Sequence, residues 1–123
     1  MRFRGAVPSE RVSGWESRFA AVLKEAGSRE FDAQTWNCAL FVKACVEAIL
    51  CRPMPSRLSR TLERTVDAHF LRITPSLARR GDVVLAQIPH RTLGVCVGAK
   101  AAFVGKSGLV TEPMSRVLIA WSV

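Results

Sequence analysis

The 123-residue chain has a hydrophobic fraction of 49% and a charged fraction of 23%, which is typical of a folded globular protein and excludes a disordered one. It is long enough for one hydrophobic core and too short for two, so we expect a single domain over residues 1–123. The formal charge of +8, from 18 Lys and Arg against 10 Asp and Glu, is compatible with anionic partners.

The first residues of the chain, 1–8, contain arginines without an apolar run behind them. No stretch reaches the roughly 18 consecutive apolar residues of a membrane helix. We therefore expect no signal peptide, no membrane span and synthesis in a bacterial cytoplasm. In that reducing compartment the four cysteines, at positions 38, 45, 51 and 96, are expected to be thiols.

Two helices are predicted in the first half of the chain. Apolar residues at helical spacing predict an amphipathic helix over 14–26, which Gly27 ends. The segment from Cys38 to Leu50 is apolar on most of its circumference, which indicates a central helix. Thr35 or Asn37 can cap its start, so Cys38 falls in its first turn.

A third amphipathic helix is predicted over 57–72, with an apolar stripe opposite arginines. Three of these arginines, Arg57, Arg60 and Arg64, form a candidate partner face, because guanidinium groups pair with oxyanions. The alternative is a solvated helix face. Specific nucleic-acid binding is not expected, since there is no tyrosine and the tryptophans are not interleaved with the arginines.

The second half of the chain predicts short strands separated by glycine and proline turns. They are expected over 83–86, 93–97, 101–104, 109–111 and 117–121. Helices followed by a meander of antiparallel strands indicate an α+β domain.

One cysteine has the position that nucleophilic chemistry requires. A thiol reacts as thiolate, which the positive end of a helix favours, and Cys38 is the only cysteine predicted at such an end. The spacings of the four cysteines match no zinc pattern. Cys45 would lie about 10 Å along the helix axis from Cys38, so we expect no metal and no other cofactor.

The order of the motifs resembles the NlpC-type cell-wall cysteine endopeptidases, which are papain-like, and more closely their short phage and prophage tail-tip relatives. The resemblance rests on three segments, residues 36–41 (WNCALF), 78–85 (ARRGDVVL) and 93–98 (LGVCVG), and on the tryptophan of the last strand. It implies a papain-like fold in which the cysteine-bearing helix packs on a small antiparallel sheet.

In that family an aspartate commonly precedes the cysteine and a histidine opens the strand that follows the glycine-aspartate turn. The resemblance implies that Cys38 has the nucleophile position, that Asn37 replaces the aspartate and that Thr92 replaces the histidine. The next strand, 101–104, also lacks the polar residue that orients the histidine. His90 is the remaining candidate base, although two extended residues separate it from Thr92 by about 6–7 Å.

Two functions follow as expectations. The first is a tail-tip or baseplate component of a phage or prophage virion, impaired in catalysis, whose partners are the neighbouring tail hub and tail-tip proteins. The alternative is an active cysteine peptidase or amidase that cleaves peptidoglycan during phage entry, with Cys38 as nucleophile.

Overall fold

The computed structural model describes residues 11–54 and 62–123. These contain helices α1 (Trp15–Ala26), α2 (Cys38–Leu50) and α3 (Leu62–Asp67). The strands are β1 (Leu71–Ile73), β2 (Val83–Gln87), β3 (Arg91–Cys96), β4 (Lys100–Gly105), β5 (Gly108–Pro113) and β6 (Val117–Ser122). Two short 3₁₀ turns lie at Pro75–Leu77 and Met114–Arg116. The helices are separate from the strands in sequence, so the expected α+β class is confirmed.

The six strands form one antiparallel sheet in the order β1-β6-β2-β3-β4-β5. Strands β2 to β5 are a meander, as expected, because hairpins join each strand to its neighbour. Strand β6 departs from the meander and returns to lie between β1 and β2. All five predicted strands are present, each within a residue or two of its expected bounds.

The prediction of a helix over 57–72 is wrong at its C-terminal end. Helix α3 ends at Asp67, and residues 71–73 form β1 instead. In β1, Leu71 pairs with Ser122 and Ile73 with Ala120 of β6. Pairing with a strand about fifty residues away outweighs the local helical periodicity. Residues 57–61 of the predicted helix lie outside the described residues.

Helix α2 is the central helix that its composition indicates. It lies between α1 and the sheet, and its buried residues come from more than one face. Cys51 ends the helix in the left-handed conformation, with φ 53°, and its N–H donates to the Glu47 carbonyl at 2.8 Å. Protein therefore covers most of the circumference of α2, and its two charged residues, Lys43 and Glu47, lie where it is partly exposed.

The sheet separates two apolar clusters. The cluster between helices and sheet, here called the helix-side core, includes Phe41 and Ile49 of α2 with Leu85, Leu93 and Trp121 of the sheet. The cluster on the opposite face, here called the outer core, contains Val84, Ala86, Cys96, Ala101, Phe103, Val117 and Ala120. Residues 83–86 of β2 are all buried because their side chains alternate between the two clusters.

A buried carboxylate fixes the start of β2. Asp82 accepts hydrogen bonds from the backbone N–H groups of Arg79 (2.9 Å) and Val123 (3.0 Å) and from the Arg11 guanidinium (2.8 Å). Arg11 also donates to the carbonyls of Arg80 (2.6 Å) and Val123 (3.0 Å). Desolvation lowers the pKa of Arg11, and the nearby Arg79 charge lowers it further. Asp82 therefore joins the turn before β2, the end of β6 and Arg11.

Gly81 is required at this junction. Its φ of 97° lies in the region that side chains disfavour. An added Cβ would also lie 2.9 Å from the Ile49 side chain and 3.1 Å from the Arg11 guanidinium. The glycine-aspartate pair thus allows the turn to approach both α2 and the buried ion pair.

A polar network attaches α3 to the sheet. Asp67 receives two hydrogen bonds from Arg72 (2.7 and 2.9 Å) and one from the indole N–H of Trp121 (2.8 Å). Glu63 accepts from Arg91 of β3 at 2.7 Å and from Arg72 at 3.4 Å. These arginines hold secondary structure elements together and do not form a freely solvated stripe.

Within 11–54 and 62–123, no helix combines the length and apolar character that a bilayer crossing needs.

We expect Asp82→Asn to lower the free energy of unfolding by about 3–5 kcal/mol, because it leaves the buried Arg11 charge without a carboxylate. Urea denaturation measures this loss. The matched control is Glu112→Gln, which removes a partly exposed pair with Arg116 at 3.6 Å and should cost less than about 1 kcal/mol. Equal effects of the two variants would contradict the structural role of Asp82.

The network at Asp67 predicts a specific pH dependence. The hydrogen bonds from Arg72 hold the pKa of Asp67 below the ordinary value of 3.8. Its contribution to stability is therefore complete above that value and is lost as the pH falls through the lower folded-state pKa. We expect Asp67→Asn to lose roughly 1 kcal/mol or less at neutral pH, since the side chain is 40% exposed. The difference between wild type and variant, measured by urea denaturation, should shrink between about pH 4 and pH 2. A constant difference over that range would contradict this account.

Candidate functional site

The loop before α2 is closed by its own hydrogen bonds. Asp32 and Trp36 exchange two backbone hydrogen bonds, each of 2.8 Å. The Asp32 carboxylate accepts from the N–H groups of Gln34 (2.9 Å) and Thr35 (3.0 Å). These bonds, that from Gln34 foremost, lower the pKa of Asp32. These hydrogen bonds therefore fix the position of Trp36 just before the start of α2.

Asn37, and not Thr35, is the residue that caps α2. Its side-chain oxygen accepts from the N–H of Leu40 at 3.0 Å, and its amide nitrogen donates to the Ala33 carbonyl at 3.0 Å. Both ends of the side-chain amide are used, so Asn37 orients the loop as well as the helix. Unlike an aspartate at this position, it places no negative charge beside Cys38.

Cys38 is the first residue of α2, as expected, and it is partly exposed. Trp36 is buried nearby and meets Phe41 edge-on, with ring centroids 6.1 Å apart. The Arg29 guanidinium covers the Trp36 ring at 4.1 Å. The Trp36 indole N–H has no hydrogen-bond partner in the described part of the chain.

Helix α2 packs on β3. Ala39, the residue after Cys38, and Leu93, the residue after Thr92, both line a small apolar depression of about 20 Å³. Val42 and Val46 of α2 and Val83 of β2 line it too. The residues that follow Cys38 and Thr92 in sequence thus line one depression between α2 and the sheet.

The side chains of Cys38 and Thr92 nevertheless lie on opposite faces of the sheet. Thr92 pairs with Ala86 of β2, and residues directly opposite in an antiparallel pair project to the same face. Ala86 belongs to the outer core, whereas Leu93 faces α2 in the helix-side core. The register therefore directs the Thr92 side chain away from the face that carries α2. Its hydroxyl donates to the His90 carbonyl at 2.9 Å.

His90 is an exposed residue of the turn between β2 and β3. Its carbonyl accepts from the N–H of Ile88 at 2.8 Å, which closes the turn. His69 follows α3, is partly buried and packs beside Phe70 with ring centroids 6.3 Å apart. Among the described residues, no hydrogen bond joins the Cys38 sulfur to either imidazole.

The other cysteines occupy different environments. Cys45 lies in the helix-side core, where burial raises the pKa of its thiol far above the ordinary value. Burial also raises the pKa of Cys96 in the outer core. Cys51 is exposed at the C-terminal end of α2. Within the described ranges, no three His, Cys, Asp or Glu residues converge as a metal site would require.

The candidate partner face can be located only in part. Arg64 is an exposed residue of α3, while Arg57 and Arg60 lie outside the described residues. Sequence reasoning missed two nearby ion pairs. Arg91 and Glu63 are 28 residues apart, and Arg72 reaches Asp67 from β1, where a helix was predicted.

A family model described as a domain of unknown function, DUF6950, matches residues 10–60 and 51–123 of this chain. The chain belongs to the DUF6950 family. No curated protein matches it at a significant level. The two matched segments include α2, its cap and the whole sheet, so the site described above is part of the DUF6950 domain.

We expect Thr92→His to leave the alkylation rate of Cys38 unchanged within about twofold, because the register directs residue 92 toward the outer-core face. The rate can be measured by iodoacetamide labelling and peptide mass spectrometry at neutral pH. Thr111→His on the exposed part of β5 is the matched control. A marked acceleration in Thr92→His alone would show that residue 92 reaches the thiol, contrary to the register.

Proposed function

We propose that this chain is a tail-tip or baseplate component of a phage or prophage, with an NlpC-type, papain-like scaffold that serves as a docking module and is impaired in catalysis. The supporting observation is the environment of Cys38. It retains the start of a capped helix, yet it is without an imidazole hydrogen bond in the described structure. A cysteine hydrolase needs a base within about 2.6–3.2 Å of the thiol, directly or through one water.

Three further observations favour a loss of catalysis over the alternative that another residue has become the catalytic base. The neutral Asn37 uses its side-chain oxygen to cap α2 and its amide nitrogen to bond the preceding loop. Thr92 uses its hydroxyl within its own turn. His90 is exposed beyond the end of β2, in a turn that the Ile88 N–H closes.

The proposed partners are the neighbouring tail hub and tail-tip proteins, and the proposed location is the tail tip of a virion assembled in the bacterial cytoplasm. The positive charge of the chain and the exposed Arg64 are compatible with an acidic protein surface. Immunogold labelling of particles from the encoding strain tests the location. Gold at one end of the tails would support it, and unlabelled tails would contradict it.

Hydrolysis of peptidoglycan peptides remains the second candidate function, favoured by the partial exposure of Cys38 at a helix start. Backbone N–H groups of the first turn would then stabilise the oxyanion. The two functions predict different thiol reactivity.

Cys51 provides an internal reference for that reactivity, because it is exposed at the opposite end of the same helix. For a docking module we expect Cys38 to react with iodoacetamide within about thirtyfold of Cys51, since the helix dipole contributes about 0.3–1 kcal/mol at each end and the two ends act in opposite directions. Peptide mass spectrometry resolves the two sites. Purified peptidoglycan should release the same background of soluble peptides with wild type and Cys38→Ser. A Cys38 rate far above this range, or release that Cys38→Ser abolishes, would establish the hydrolase instead.

A further inference from the structure

Three exposed leucines lie along one border of the sheet. Large apolar side chains that are at least two fifths exposed are few among the described residues, and three of them are Leu71 (40%), Leu77 (72%) and Leu118 (53%). They come from β1, from the 3₁₀ turn that follows it and from β6. We call Leu71, Leu77 and Leu118 the leucine border.

The fold places these three residues on the same border of the sheet. Strand β1 runs antiparallel to β6, with Leu71 opposite Ser122 and Ile73 opposite Ala120. After Ile73 the chain continues toward the beginning of β6, and the turn at Pro75–Leu77 contacts both β6 and the Met114–Arg116 turn. Leu77 and Leu118 therefore lie toward the beginning of β6, and Leu71 lies about 13 Å further along this border, at about 3.3 Å per residue.

Leu118 is exposed because of a β-bulge. Leu85 pairs with Ile119 and Ala86 with Val117, so Leu118 is the extra residue between the two pairs. A bulge redirects a side chain at the expense of regular strand pairing, and such features recur beside binding sites. A leucine at the bulge leaves apolar surface in water that a polar residue would avoid.

Arginines flank the leucine border. Arg79 follows Leu77 by two residues, is exposed, and forms no ion pair within the described part of the chain. Its backbone N–H donates to the buried Asp82, which fixes the position of the turn. Arg116 precedes Leu118 by two residues, is 57% exposed and lies 3.6 Å from Glu112.

We propose that the leucine border with Arg79 and Arg116 is the docking surface for an acidic protein segment that inserts apolar side chains between the two arginines. An apolar centre with a charged rim is the usual composition of a protein interface, and arginine is enriched there. Charge complementarity selects the partner, because a second copy of this chain would bring the same arginines and a net charge of +8 against this surface.

This proposal deepens the proposed docking role and rests on it, yet its test measures binding at the sheet border and not the reactivity of Cys38. Either proposal can therefore fail alone. An active hydrolase with this surface intact would retain the binding described below, and a docking module with another surface would lose it.

The test uses two fluorescent peptides of equal charge, one with leucines among glutamates and one with serines in place of the leucines. We expect the full chain to bind the leucine peptide about fivefold or more tightly than the serine peptide, measured by fluorescence anisotropy at constant salt. The shifted backbone amides in a ¹⁵N NMR titration should cluster at 71–79 and 114–118.

Matched variants distinguish binding at the leucine border from binding through net charge or general surface hydrophobicity. Leu77→Ser should remove most of the preference for the leucine peptide, whereas Val110→Ser, at an exposed position on the opposite edge of the sheet, should preserve it. Arg79→Gln with Arg116→Gln should weaken both peptides by about fivefold or more, while Lys24→Gln with Lys106→Gln should have less than half that effect. Circular dichroism confirms that each variant is folded.

Several outcomes would overturn the proposal. Amide shifts elsewhere, or equal effects of border and control variants, would assign the binding to diffuse charge. A dimer in light scattering that Leu77→Ser dissociates would make the border a self-interface. Cosedimentation with anionic lipid vesicles that depends on Leu77 would make it a membrane contact.

Discussion

The buried pair of Asp82 and Arg11 is the interaction on which the architecture depends. The carboxylate accepts from the turn before β2 and from the residue after β6, while the guanidinium donates to the carbonyls of Arg80 and Val123. Burying two charges is expensive, and the cost is recovered only when nearly every polar atom has a partner. Both side chains are almost fully buried, so the pair is an internal ion pair and not a surface salt bridge.

The position of α2 depends on this buried ion pair. The N–H of Val12, next to Arg11, donates to the carbonyl of Ile49 at 3.0 Å, and the Ile49 side chain approaches Gly81. The C-terminal end of α2 is thereby tied to the start of β2. The rest of α2 lies against the sheet, and Ala39 and Leu93 line the same depression there. The ion pair thus anchors the end of α2 that is about 17 Å from Cys38, given a rise of about 1.5 Å per residue between Cys38 and Ile49.

Local signals predicted those features whose causes are local. The apolar periodicity and the cap locate α2, since Asn37 bonds to a residue only three positions away. Strand β1 was missed because its stabilising partner, residues 120–122 of β6, is distant in sequence. The face that Thr92 occupies could not be predicted either. Leu93 and Cys96 are both buried, so the alternation of β3 shows two apolar faces and does not reveal which one carries α2.

This two-sided burial also separates the packing near the leucine border from the packing around Cys38. The outer core is covered in part by residues in or beside β1 and the two 3₁₀ turns, namely Ile73, Ala78 and Met114. None of these residues contributes to the helix-side core. Cys38 belongs to the opposite side. Substitutions around Cys38 should therefore change stability almost independently of substitutions in the outer core, because additivity holds for sites that share no contacts. Position 92 differs from the surroundings of Cys38 in this respect, since its register partner Ala86 belongs to the outer core.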